Sequence, residues 1–140
     1  MAIASYAQLE KELNKHINIA IENVAKIVCD KLMDCIDKQY YNDPGFYPNV
    51  YKRTETFLQS ATYEMLESNS AQIAVDSDNM HYKTGFPGRT IVELASKSMH
   101  GSERYQTNTE PFWDVFEEWC NDNIFKLLKN ELRNQGLNVR

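Results

Sequence analysis

At 140 residues the chain is long enough to bury one real core and too short for two, so a single domain over residues 1–140 is expected. Charged residues at 25% and hydrophobic ones at 42% are the balance of a folded globular protein, which excludes gross disorder. A formal charge of −5 disfavours nucleic-acid binding as the main activity, and no apolar run approaches the roughly 20 residues of a membrane span.

The chain opens with a helical pattern. From about Ile3 to Lys38, Tyr6, Leu9, Leu13, Ile17, Ala20, Val24, Ile27, Val28, Leu32, Cys35 and Ile36 recur at three- and four-residue steps, with Lys, Glu, Asp and Asn between them. Neither Gly nor Pro interrupts the run, and Asn42-Asp43-Pro44-Gly45 ends it by turn chemistry. At ~1.5 Å per residue the helix over residues 3–38 reaches ~50 Å, well past the ~30 Å width of a small domain. The remaining residues cannot cover all of its apolar side. Either the helix breaks, or its outer end packs on another subunit.

Residues 40–60 form an aromatic joint. Tyr40, Tyr41, Phe46, Tyr47 and Tyr51 are crowded together with Pro44, Gly45 and Pro48, and Lys52-Arg53 then leads into Phe57-Leu58. Rigid aromatic side chains offer large contact area at small rotamer loss, so the segment reads as a contact loop, although part of the cluster is expected to fill the core.

Beyond the joint, Thr56 to Glu67 is ambiguous: Phe57-Leu58-Gln59-Ser60 suits a helical turn, and Thr62-Tyr63-Glu64-Met65-Leu66 suits a strand. Ser68-Asn69-Ser70 is a turn signal, and Gln72-Ile73-Ala74-Val75-Asp76 alternates as a half-buried strand should, so a hairpin is expected. Met80-His81-Tyr82 suits a further short strand within a sheet region over residues 61–85. Thr90 to Met99 predicts a short helix capped by Thr90, with Glu93 at the capping-box distance. The last helix, over residues 109–135, starts with Pro111 in its first turn and carries Trp113, Phe116, Cys120, Ile124, Leu127, Leu128 and Leu132 on its inner side. Gly136-Leu137 fits a C-terminal cap with its apolar contact. The expected fold class is α+β: a long N-terminal helix, a small antiparallel sheet of hairpin plus short strand, a short helix, and a C-terminal helix packed on the sheet.

Chemistry is hard to place on this chain. His16, His81 and His100 are dispersed and lack the short spacing of a helical zinc site, so no metal is expected. Cys29 and Cys35, six apart on one helix, point about 240° from one another and do not face one ion. With Cys120 they form an odd set behind no recognisable signal peptide, expected as free thiols in a reducing cytosol. Ser60, Ser96 and Ser98 lack the Gly-x-Ser-x-Gly frame of a strained nucleophile turn. Gly85-Phe86-Pro87-Gly88-Arg89 lacks the lysine–hydroxyl pair of a phosphate cradle, and the neighbours Glu117 and Glu118 diverge around a helix. Neither an enzyme nor a cofactor is expected.

Charge is uneven along the chain. Over residues 41–80, Lys52 and Arg53 face Asp43, Glu55, Glu64, Glu67, Asp76 and Asp78, whereas Lys83, Arg89, Lys97 and Arg104 outnumber Glu93 and Glu103 over residues 81–105. Regions of opposite sign suit head-to-tail self-association, although a mottled surface on one domain looks the same.

At Tyr51-Lys-Arg-Thr-Glu-Thr-Phe-Leu-Gln-Ser60 the sequence resembles the neck proteins of tailed bacteriophages, the minor structural components called head–tail connector, tail-completion or tail-terminator proteins. That group typically begins with a long helix, follows it with a Thr-Gly-x-Leu-x-x-Ser-like segment and a hairpin, and ends with a helix. Tyr82-Lys83-Thr84-Gly85 is similar to its aromatic strand before a glycine-bearing loop. Glu55 stands where that group commonly has glycine, so any positive-φ turn there must differ in this chain. The resemblance implies a virion component, assembled in the host bacterial cytoplasm, that forms a homo-oligomeric ring at the head–tail junction. It implies contact with neighbouring neck or tail proteins, and an acidic lumen through which DNA passes without being gripped. Tyr47, Tyr51, Arg53, Phe57 and Leu58 are the expected subunit-contact residues. The competing expectation is a small dimeric regulatory or antitoxin-like module joined through the long helix.

Overall fold

Ser5 sits in extended backbone and caps the first helix, its hydroxyl accepting the Gln8 N–H at 3.2 Å and satisfying one of the amides left unpaired at a helix start. The cap moves the start from the expected Ile3 to Tyr6. From there α1 runs unbroken over Tyr6–Ile36, 31 residues and about 46 Å at the ordinary helical rise. The computed structural model describes residues 5–41, 57–67, 69–80, 88–97 and 110–140.

After Ile36 the winding loosens into a π-helical turn, Asp37–Tyr41, in which Tyr40 is buried. Tyr40 meets the fully buried Phe57 edge-on at 5.0 Å between ring centroids, and Phe57 meets Phe112 in the same manner at 5.4 Å. Offset edge-to-face rings are the favoured arrangement of aromatic quadrupoles, so three distant stretches of sequence are fixed at one point.

The ambiguity between turn and strand after the joint resolves into both. Leu58–Ser60 makes one 3-10 turn, and β1 (Ala61–Leu66) pairs antiparallel with β2 (Ser70–Val75) from Ala61↔Val75 to Leu66↔Ser70. Asn69 takes the left-handed backbone of the connecting turn at φ 58°, a conformation that asparagine tolerates better than most residues. Tyr63 and Ile73 lie opposite one another on the half-buried face of the hairpin, while Glu64 and Gln72 share the outer one. Among the described residues the sheet is two-stranded. Met80 follows a 3-10 turn (Ser77–Asn79) and is buried outside any strand, while His81 and Tyr82 lie beyond the described residues.

The short helix α2 spans Gly88–Ala95, starting two residues before Thr90, which is therefore an internal residue and not the cap. Close packing at the start explains the glycine. A Cβ added to Gly88 would stand 2.6 Å from the Met80 Cβ and would also overlap the Ser77 carbonyl oxygen. Both neighbours are held by short local geometry, so neither yields freely. Gly88→Ala is expected to cost about 1–3 kcal/mol through overpacking, read as a lower midpoint in urea unfolding. An unchanged midpoint would mean that α2 does not dock against the Ser77–Met80 turn.

α3 covers Phe112–Asn134 and begins right after Pro111, whose fixed φ suits a helix entrance. Its other end is the expected glycine cap. Gly136 has φ 84°, its N–H donates to the Arg133 carbonyl at 2.9 Å, and the Leu137 N–H donates to that of Leu132 at 3.0 Å. α3 lies antiparallel along α1: His16 meets Gln135, Asn23 donates to Glu131, and Lys31 stands 5.6 Å from the centre of the Trp119 ring. The sequence places α3 on the sheet; its principal partner is α1, and it shares the core with Ile73 and Val75 of β2. The architecture is α+β, with α1 as the spine that both α3 and the hairpin pack against.

One ion-pair group marks the end of α1. Asp34 bonds to Lys38 at 3.0 Å and to Lys31 at 3.2 Å, and the Lys38 bond above all holds its carboxyl below the ordinary value. A carboxyl lowered in the folded state stabilises above its unfolded pKa and loses that contribution as pH falls through the folded one. Asp34→Asn should therefore be slightly less stable than the parent at neutral pH, with the difference fading as pH falls below about 4 and gone once the folded carboxyl is itself protonated, as thermal melts across pH would read. A difference that persists in acid would assign the effect to packing.

Candidate interaction surface

Burial on α1 begins only at Ala20. Its buried residues are Ala20, Val24, Ala25, Val28, Cys29, Leu32, Cys35 and Ile36, all in the C-terminal part. The apolar pattern, however, continues towards the start. Tyr6 is 82% exposed, Leu9 39% and Leu13 38%. At about 100° per residue they fall on the same side of the helix as Ala20 and Val24. The stripe is buried along most of its C-terminal half, with Ile27 37% exposed there, and is only partly covered towards the start, where Tyr6 stands bare.

Two local bonds show where the cover ends. At the hairpin tip, Asn69 Nδ2 donates to Asn14 Oδ1 at 3.0 Å. At the end of α3, His16 Nδ1 lies 3.2 Å from Gln135 Oε1, next to the Gly136 cap. Tyr6, Leu9 and Leu13 precede both bonds, in roughly the first two turns of the helix. The cover stops because α3 is shorter than α1, at 23 residues against 31, and because the hairpin strands are six residues each.

Between the two walls runs an open apolar cleft of about 230 Å³, with Val24 and Val28 of α1, Ile73 of β2, and Ile124 and Leu128 of α3 among its lining. Asn69 and Ser70 are its polar lining. Small-molecule sites are usually larger, about 300–1,000 Å³, with several convergent polar groups, so the cleft suits apolar side chains better than a cofactor. Ile124 is only partly covered, and the adjacent Phe125 is 76% exposed. On the outer face of the hairpin, Thr62, Glu64, Gln72 and Asp76 line a shallow polar surface of ordinary solvated character.

Of the expected contact residues, Phe57 is a core residue. It is wholly buried between Tyr40 and Phe112 within its own chain, and so it offers no surface to a neighbour. Leu58 is half-buried against the same core. Tyr47, Tyr51 and Arg53 lie outside the described residues, as does most of the aromatic joint. The inner stripe expected of α3 includes Ile124 and leaves out Phe125. Phe125 lies about 100° from Ile124, off the inner stripe, and a large aromatic in that place was the available signal.

Among the described residues the three thiols and His16 are occupied or suppressed. Cys29, Cys35 and Cys120 are free thiols, and burial is the main cause that pushes each of them above the ordinary thiol pKa. A thiol kept protonated is a poor nucleophile and a poor ligand. His16 is engaged with Gln135, and His81 and His100 lie outside the described residues. Among the described residues no group of three or more His, Cys, Asp or Glu is placed to hold a metal ion, and no helix is long and apolar enough to cross a membrane.

Against known proteins, the model of the YomN family matches residues 5–134, nearly the whole chain. No curated protein and no solved structure matches it. YomN is a Bacillus phage-derived name, which makes this a phage-related protein. With a match running from the cap of α1 to the last turn of α3, the chain belongs to the YomN family.

Proposed function

We propose that the protein is a structural component of a tailed-phage virion, a ring-forming neck protein that joins or completes the tail at the head. The observation that carries this reading is the partly uncovered start of α1, where Tyr6, Leu9 and Leu13 continue a core stripe beyond its buried part. Burying a fully exposed apolar side chain is worth about 1.5–3 kcal/mol, and the exposed share of these three in proportion, which favours a protein neighbour over solvent. In a ring each subunit presents this helix end to the next one, a heterologous contact that closes when the rotation allows it. The YomN membership supplies the phage context, and the net charge of −5 suits a passage that does not grip DNA. The working partners are copies of the same chain and adjoining neck or tail proteins, in the virion after assembly in the bacterial cytoplasm. No catalysis and no cofactor enter the mechanism, which consists of interface formation.

Deleting the gene from the phage or prophage that carries it tests this directly. The expected lysate contains DNA-filled heads and separate tails by electron microscopy, with few joined particles, and the protein is detected in purified parental virions. Normal particles in normal numbers would overturn the proposal. A stable dimer at every concentration, together with absence from virions, would instead favour the small regulatory or antitoxin-like module, since the same bare stripe suits pairing through the long helix.

A further inference from the structure

We draw no further inference here: the strongest candidate, the open apolar cleft between α1, β2 and α3 lined by Val24, Val28, Ile73, Ile124 and Leu128, carries nothing beyond the interface already described, because nothing in the structure shows what covers it.

Discussion

Replacing Phe57 by alanine should lower the melting temperature by about 10–15 °C. The ring is fully buried and touches Tyr40 from the π-helical turn and Phe112 from the first turn of α3. Its removal takes away the transfer energy of a large aromatic and leaves a cavity that three separate elements would have to close. Such truncations cost about 3–5 kcal/mol, and a domain of this size loses roughly 3 °C per kcal/mol. Circular dichroism melts would read the effect, and near-ultraviolet signals from the neighbouring Trp113 would report the loosened packing. A drop smaller than about 3 °C would mean that the aromatic junction is not where the halves of the chain are held together.

The second large effect should appear without any loss of fold. Leu9→Lys combined with Leu13→Lys changes two partly exposed positions beyond the cover of α1, and lysine is nearly as good a helix former as leucine. Melting should move by no more than about 3 °C, since substitutions away from packed features change stability by about 0.5 kcal/mol or less. Self-association should nonetheless weaken about tenfold, because burying the exposed two-fifths of each leucine is worth about 0.6–1.2 kcal/mol and each 1.4 kcal/mol is tenfold. Sedimentation at several concentrations, or incorporation into particles where assembly needs the neighbouring proteins, measures this. Parallel losses in melting and assembly would place the two leucines in the core and not on a contact surface.

Much of the fold was legible because it depends on local chemistry. The three- and four-residue spacing of α1 and α3 fixes which side is buried, and Gly136 followed by Leu137 is the whole of the cap that closes α3. The hairpin follows from alternation around Asn69, a residue at ease with positive φ. The start of α2 was not legible, because Gly88 is there to let the Ser77–Met80 turn approach, and that approach is a tertiary fact. Phe57 was read outward for a related reason. An apolar pair after a basic pair gives no direction, and only the positions of Tyr40 and Phe112 turn the ring inward. The candidate surface was half legible. Periodicity shows that α1 has an apolar side, but where its cover stops depends on the lengths of α3 and the hairpin and on how they dock, recorded in the Asn14–Asn69 and His16–Gln135 pairs.

The most direct measurement is site-specific photo-cross-linking from the bare stripe. A benzophenone amino acid placed at Leu13, in particles or in cells producing them, should yield a product of about twice the 16.3 kDa chain mass, containing two copies of this chain. The same probe at Asp30, an exposed residue off the stripe, should not. Products confined to a single chain at Leu13, in assemblies that are otherwise intact, would contradict the account: the opening of α1 would then face solvent in the working protein.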